Sequence, residues 1–179
     1  MSQPGDPMRA YHEHTAHSVW RLRADRHSLD FDNQPLPYKI YRGLEPIPLP
    51  RLRPPREVPA LSALAASASD AVASARIPDL TTLSRLLQFS AGITVHKRYS
   101  GGEICFRAHP NTGALYHVDL YLACCELPDL EAGVYHFDPL DFALRQLRAG
   151  DWRAALVAAS GAEPALARAP IIAASASTY

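Results

Sequence analysis

The stretch from Arg107 to Tyr116 contains the residue types best suited to binding a small ligand. It encloses a polar loop whose central residues are Pro110, Asn111, Thr112 and Gly113. Glycine lets the backbone approach a ligand closely, asparagine and threonine offer short polar side chains, and free backbone N–H groups can meet an anion or a ring edge. The loop therefore suits a flat heteroaromatic cofactor with a phosphate. A polar turn between two strands is the alternative, because short motifs are weak signals.

Three histidines near the N terminus, His12, His14 and His17, form the pattern H-x-H-x-x-H. A zinc or iron site needs three or four ligands with supporting hydrogen bonds around them. The only other ligand type nearby is Glu13, which would point away from its neighbours. The pattern therefore favours a polar, partly exposed segment, and the sequence predicts no metal.

The remaining reactive residue types do not form a recognisable catalytic set. Cys124 and Cys125 are adjacent, which is typical of small apolar residues in a core strand. His136 and Asp138 share one face of a strand by the two-residue period, but no nucleophile is implied beside them. The sequence also lacks the nucleophile elbow, the P-loop and the dinucleotide-binding glycine pattern. We therefore predict no catalytic residue within this chain.

Composition and charge restrict the class of protein. Of 179 residues, 47% are hydrophobic and 20% are charged, which is typical of a globular chain. Eighteen basic residues balance eighteen acidic ones, so no long-range field draws the protein to nucleic acid or an acidic membrane. There is no apolar leader, no run of about 18 apolar residues, and only three cysteines. We expect a cytoplasmic protein with no nucleic-acid or membrane partner.

Proline divides the chain unevenly. Ten of the 16 prolines precede residue 60, and proline excludes a long helix over 35–59. This pattern predicts a Pro-rich N-terminal arm over 1–59, extended around a core that the segment 60–179 supplies. The start of that segment, 60–76, permits either a weakly amphipathic helix or a structured spacer.

The elements predicted after residue 76 must position the loop. A helix is expected from Leu80, capped by Asp79 or Thr81, with apolar positions continuing to Ile93 and a stop at Gly92. Asp151 is expected to cap a second helix. A hairpin tip is expected at Gly101-Gly102. Strands are expected over 103–107, 118–125, 133–138, 142–147 and 170–174. Helices and strands in this order indicate an α+β fold.

Seven segments, taken in order, resemble one family. They are 11–15 (YHEHT), 29–35 (LDFDNQP), 38–41 (YKIY), 47–50 (IPLP), 83–93 (LSRLLQFSAGI), 112–116 (TGALY) and 133–137 (GVYHF). Together they are similar to the SagB-type (SagB/ThcOx) dehydrogenases of the nitroreductase superfamily, and the series covers nearly the whole chain. The resemblance implies an FMN-dependent oxidoreductase with a nitroreductase-like α+β sandwich, incomplete in this chain.

The resemblance also implies particular roles. The loop before the central strand would lie against the flavin, and its residues are Pro110, Asn111, Thr112, Gly113 and Leu115. Arg107 would bind the phosphate or ribityl side, since a guanidinium can hold phosphate with two hydrogen bonds. The substrate would be a small molecule or a modified peptide. The partner would be a second copy, as a homodimer, or a second nitroreductase-like half.

The family's Lys-Tyr catalytic pair, where present, follows the strand that corresponds to 170–174. The chain ends at Tyr179, before that pair. We therefore expect an N-terminal fragment or a truncated form, inactive alone. The alternative is a non-catalytic interaction module derived from the same fold.

Overall fold

The computed structural model describes residues 5–24, 36–51, 59–65 and 77–177. The chain divides into two compact units, Met1–Gln34 and Pro35–Tyr179. In the first unit the helices are α1 (Asp6–Thr15) and α2 (Val19–Ala24), and neither has a buried residue. The three N-terminal histidines are all exposed there, as predicted for a polar segment.

The second unit combines helices with strands, as predicted for an α+β fold, and its five-stranded sheet is antiparallel. Its helices are α3 (Ala60–Ala65), α4 (Leu80–Ala91), α5 (Arg153–Ala159) and α6 (Pro164–Arg168). Its strands are β1 (Pro46–Pro48), β2 (Ile93–Tyr99), β3 (Gly102–Arg107), β4 (Val118–Cys124), β5 (Gly133–Asp138), β6 (Ala143–Ala149) and β7 (Ile171–Ser177). Five strands form one sheet in the order β1-β6-β5-β4-β7, whereas β2 and β3 form a separate hairpin.

Helix α4 begins and ends where its local signals predict. The Asp79 side chain accepts a hydrogen bond from the Thr82 N–H at 2.7 Å, which satisfies a free donor of the first turn. Gly92 ends the helix, and a Cβ there would lie 2.7 Å from the carbonyl oxygen of Gln88. Only glycine fits this close approach. The predicted continuation of the helical pattern to Ile93 is wrong, because Ile93 is the first residue of β2.

The core lies between α4 and one face of the five-stranded sheet. Leu83 and Leu87 of α4 are buried in one cluster with Leu122 of β4, Phe137 of β5 and Leu144 of β6. Burying each of these side chains contributes about 1.5–3 kcal/mol. Successive residues of a strand point to opposite faces, so the intervening residues of β4 and β5 lie on the other face of the sheet.

Strand β5 has the predicted bounds. Cys124 is buried at the end of β4, as predicted for a small apolar residue, and burial raises the pKa of its thiol to about 12. Cys125 is half-buried. Helix α5 has Trp152 at its N-cap position, so the expectation that Asp151 caps it is wrong, although Asp151 Oδ1 accepts a hydrogen bond from the Arg153 N–H.

The Pro-rich region contributes one short strand to the sheet. Strand β1 pairs antiparallel with β6 at the edge, and Leu49 directly after it is buried in the core. Helix α3 occupies the start of the segment 60–76, for which the sequence permitted a helix or a spacer, and 66–76 lie outside the described residues. The predicted arm over 1–59, with a boundary at residues 59 and 60, stays a prediction. No helix within the described ranges is long and apolar enough to cross a membrane.

Candidate functional site

The predicted cofactor loop is a compact polar turn between β3 and β4. Its centre is a short 3-10 turn over Thr112–Ala114 in which Gly113 has φ 65°, a left-handed conformation that favours glycine. The side-chain oxygen of Asn111 accepts a hydrogen bond from the Tyr116 N–H at 3.1 Å and closes the turn. Pro110 and Gly113 are exposed, whereas Asn111 and Leu115 are half-buried. The structure therefore brings the predicted residues together in one loop.

Arg107 lies beneath this loop rather than on its surface. Its side chain is 5% exposed, and Nε donates to the carbonyl oxygen of Ala91 at 2.8 Å. Nη1 faces the carbonyl oxygens of Tyr116 and Val118 at 3.5 and 3.4 Å. Burial lowers the pKa of the guanidinium, although the Asp119 carboxylate opposes this effect. Arg107 thus connects the end of α4 to the loop and to the start of β4.

A second group of polar residues lies on the sheet face opposite the core. His136 is fully buried, and neither ring nitrogen has a hydrogen-bond partner among the described residues. Asp119 Oδ1 is 3.9 Å from Nε2, which is too long for a hydrogen bond but within reach of an ion pair. The Tyr41 and Tyr121 rings lie 4.9 and 5.3 Å from the imidazole. Buried polar atoms without a partner are rare, and they are often explained by catalysis or by a bound group.

A lysine and two tyrosines adjoin this histidine. The hydroxyls of Tyr41 and Tyr121 are 3.2 Å apart. Hydrogen bonds with Tyr121 and Tyr41 raise the pKa of Lys39, and burial raises the pKa of Tyr121. Lys39 is therefore an ammonium at neutral pH and the Tyr121 phenol keeps its proton. The group can donate hydrogen bonds to a bound molecule.

A cavity of about 350 Å³ lies beside these residues. Lys39 and Arg42 line it with two positive charges, against one carboxylate from Asp119. Tyr38 and Tyr116 add aromatic rings. Tyr116 closes the predicted cofactor loop and also lines the cavity, so the loop and the cavity are contiguous. The volume is within the range of small-ligand pockets, and the charge favours an anion.

A buried ion pair holds the segment that contains Lys39 and Tyr41. Arg145 of β6 donates from Nε and Nη2 to Asp138 Oδ2 at 3.1 and 3.0 Å. Its Nη1 donates to the carbonyl oxygen of Leu44 at 2.6 Å. Both charged groups are buried, so these contacts connect the segment before β1 rigidly to the sheet.

Sequence reasoning missed most of this second group. It noted that His136 and Asp138 share a face, but it assigned no role to Lys39, Tyr41 or Tyr121. The sequence did contain one signal. Polar residues alternate with apolar ones along the two neighbouring strands β4 and β5, as Asp119 does in β4. Such buried polar positions on a second sheet face are candidates for a site.

Comparison with known proteins identifies the fold. No protein-family model matches the chain, and no curated protein sequence matches it significantly. Among solved structures, the chain is similar to a "putative nitroreductase" from Anabaena variabilis, with a TM-score of 0.68 and 24% sequence identity over 96% of this chain. The chain spans 31% of the length of that protein. The mixed α and β structure with its antiparallel sheet is therefore a nitroreductase-like fold.

Proposed function

We propose that the chain belongs to an FMN-dependent oxidoreductase of the SagB type within the nitroreductase superfamily, acting in the cytoplasm. The proposal rests on the structural likeness to the Anabaena protein, which extends over 96% of this chain. The ordered series of seven segments supports the SagB type. The substrate we propose is a small molecule or a modified peptide.

The described residues fit FMN at the cavity beside the loop. Lys39 and Arg42 would hold the phosphate, because they are the two cations of the lining. The loop backbone around Gly113 and the Tyr116 ring would lie along the flavin. We assign Arg107 to positioning the loop, since its Nε and Nη1 groups face backbone carbonyls.

Bound FMN would supply two-electron transfer between a donor and an acceptor. The chain's own residues would bind and orient the group, because Lys39 and Tyr121 both hold their protons at neutral pH. The hydrogen bond between Lys39 and Tyr121 would keep the ammonium in place at the phosphate. The Asp119 carboxylate lies 3.9 Å from His136 Nε2 and would balance one of the positive charges of the cavity lining.

We propose further that a second nitroreductase-like half completes the site, either within a longer protein or from a second copy. The chain corresponds to 31% of the solved relative, and a partial site excludes water poorly. We therefore expect weak or no turnover by these 179 residues alone.

A non-catalytic interaction module is the second candidate function. Leu86 and Phe89 lie on α4 and are 59% and 50% exposed, so this helix presents apolar surface to its surroundings. Such a surface suits contact with another protein in the absence of any cofactor.

Flavin binding tests the two candidates directly. The purified chain is incubated with FMN, freed of excess flavin by gel filtration, and examined by absorbance and by flavin fluorescence. We expect retained FMN, and a loss of affinity of at least tenfold in the Lys39→Ala/Arg42→Ala double variant because the phosphate loses both cations. The matched control is Arg85→Ala/Arg98→Ala, which removes two exposed charges elsewhere.

Protein that stays colourless after incubation with FMN would refute the flavin proposal for this chain and favour the interaction module. Equal retention by the double variant and the control would leave FMN binding intact and place the phosphate away from Lys39 and Arg42.

A further inference from the structure

Three side chains of metal-binding type meet on one face of the β2–β3 hairpin. His96 of β2 and Cys105 of β3 are directly paired across the hairpin. Side chains of directly paired residues share a face, and Glu103 shares the face of Cys105 because it lies two residues away. Residues from both strands thus converge at one point.

The distances suit a single small cation. His96 Nδ1 lies 2.7 Å from Glu103 Oε1 and 3.5 Å from Cys105 Sγ. All three ligand atoms lie within 4.8 Å of one another. Around a tetrahedral zinc ion, with Zn–S about 2.3 Å and Zn–N about 2.0 Å, the sulfur and nitrogen are about 3.5 Å apart. The observed Sγ–Nδ1 separation already has this value.

The oxygen needs only a small adjustment. A nitrogen and an oxygen that both bind zinc at about 2.0–2.1 Å stand about 3.3 Å apart, slightly farther than the 2.7 Å of the present His96–Glu103 contact. Both side chains are on the surface, with 53% and 39% of their area exposed, so rotation about their own bonds suffices. The same exposure leaves room for a water molecule as the fourth ligand.

The simpler explanation accounts for two of the three residues. An exposed ion pair between His96 and Glu103 is worth about 0–1 kcal/mol and needs no metal. The strand register adds the half-buried thiol of Cys105 beside the same imidazole nitrogen, so a third ligand atom is within reach of one ion. Thiolate and carboxylate together also supply two negative charges, which balance a divalent ion.

We propose that His96, Glu103 and Cys105 bind one Zn²⁺ ion, with water in the fourth position. An imidazole nitrogen, a carboxylate oxygen and a thiolate sulfur are each zinc ligands in proteins. The ion would join β2 to β3 across the hairpin. The three residues are not among those that line the cavity, and the proposal does not depend on the flavin function.

Cobalt spectroscopy provides a test that is specific for the thiolate. The full chain, kept reduced, is titrated with Co²⁺, which substitutes for zinc and gives a sulfur-to-cobalt charge-transfer band only when a thiolate binds. We expect a band that saturates at one equivalent and disappears when Zn²⁺ is added. Cys105→Ser should abolish the band, and His96→Ala or Glu103→Gln should weaken affinity at least tenfold.

Two control variants address the other potential ligands. Cys125→Ser removes a half-buried thiol elsewhere in the chain, and His12→Ala/His14→Ala/His17→Ala removes the N-terminal histidines. Both should keep the band and its affinity. Circular dichroism checks that every variant is folded.

Three outcomes would overturn the proposal. They are the absence of a band at millimolar Co²⁺, a band that survives Cys105→Ser, and a band unaffected by both His96→Ala and Glu103→Gln. The last result would mean that a lone thiol binds the metal without the hairpin geometry.

Discussion

At the scale of single residues, His136 stands out within the described part of the chain because its buried ring nitrogens have no hydrogen-bond partner. Its two ring nitrogens find no hydrogen-bond partner among the described residues, while its ring packs against two tyrosines. A protein that retains such a group gives up stability, since leaving a buried polar group unpaired costs about 1–3 kcal/mol. A bound molecule or an ordered water in the folded protein would remove that cost.

This cost predicts that His136→Phe stabilises the free protein. Phenylalanine keeps the ring packing and removes the unpaired nitrogens, so the free energy of unfolding should rise by about 1–3 kcal/mol. Urea unfolding followed by circular dichroism measures the change. The same variant should bind FMN less tightly if His136 serves the proposed site.

Destabilisation by more than about 1 kcal/mol would contradict this prediction, because it would show that the imidazole forms hydrogen bonds in the folded protein. Leu156→Met, a substitution of similar volume within α5, is the control and should change little.

At the scale of elements, the ion pair between β6 and the last residue of β5 fixes the segment before β1. Arg145 donates hydrogen bonds to the Asp138 carboxylate and to the carbonyl oxygen of Leu44, and both charged side chains are buried. Loss of one partner from a buried pair leaves the other charge without compensation, which costs about 3–5 kcal/mol.

Arg145→Ala should therefore lower the free energy of unfolding by about 3–5 kcal/mol, measured by urea denaturation. Arg153→Ala is the matched control because Arg153 pairs with Asp151 in a more exposed setting, where a pair is worth about 0–1 kcal/mol. Similar losses in the two variants would mean that the Asp138 carboxylate does not depend on Arg145.

The elements also differ in how far the sequence could predict them. Helix α4 has a capping residue, a 3.6-residue apolar period and a glycine stop, all of which are local signals. Strands β4 and β5 are apolar enough to be recognised as interior strands. Strand β2 was not predicted, because its residues are mostly polar and exposed on both faces, so no alternation marks it.

The candidate site was harder to predict because it depends on contacts between distant parts of the chain. Tyr41 and Tyr121 are 80 residues apart in sequence, and they meet only because β1 returns along β6. No local period encodes that pairing. The predicted cofactor loop over 110–115, in contrast, consists of consecutive residues, so the closeness of its members follows from the sequence alone.

At the scale of the whole molecule, the proposed second half makes flavin binding depend on association. If a second copy completes the site, FMN retention should rise with protein concentration, because the dimer binds the flavin and the monomer does not. Light scattering after gel filtration gives the dimer fraction, and flavin fluorescence gives the bound fraction at each concentration. The two curves should share a midpoint.

FMN binding that is independent of concentration, by a chain that stays monomeric throughout, would contradict completion by a second copy. It would leave the remaining sequence of a longer protein as the only proposed source of the second half. The neutral net charge of the chain sets no electrostatic barrier against either arrangement.

The β2–β3 hairpin has a mechanical consequence. Strand β2 begins directly after Gly92, where α4 ends. The chain returns to the same point after β3, because the Ala108 N–H donates to the Gly92 carbonyl oxygen at 2.9 Å. Arg107 adds a contact to Ala91 from the same end. The hairpin is thus fixed at its open end and free at its tip, Gly101. A displacement of the tip would be transmitted to β4 through Arg107, which contacts the Val118 carbonyl oxygen.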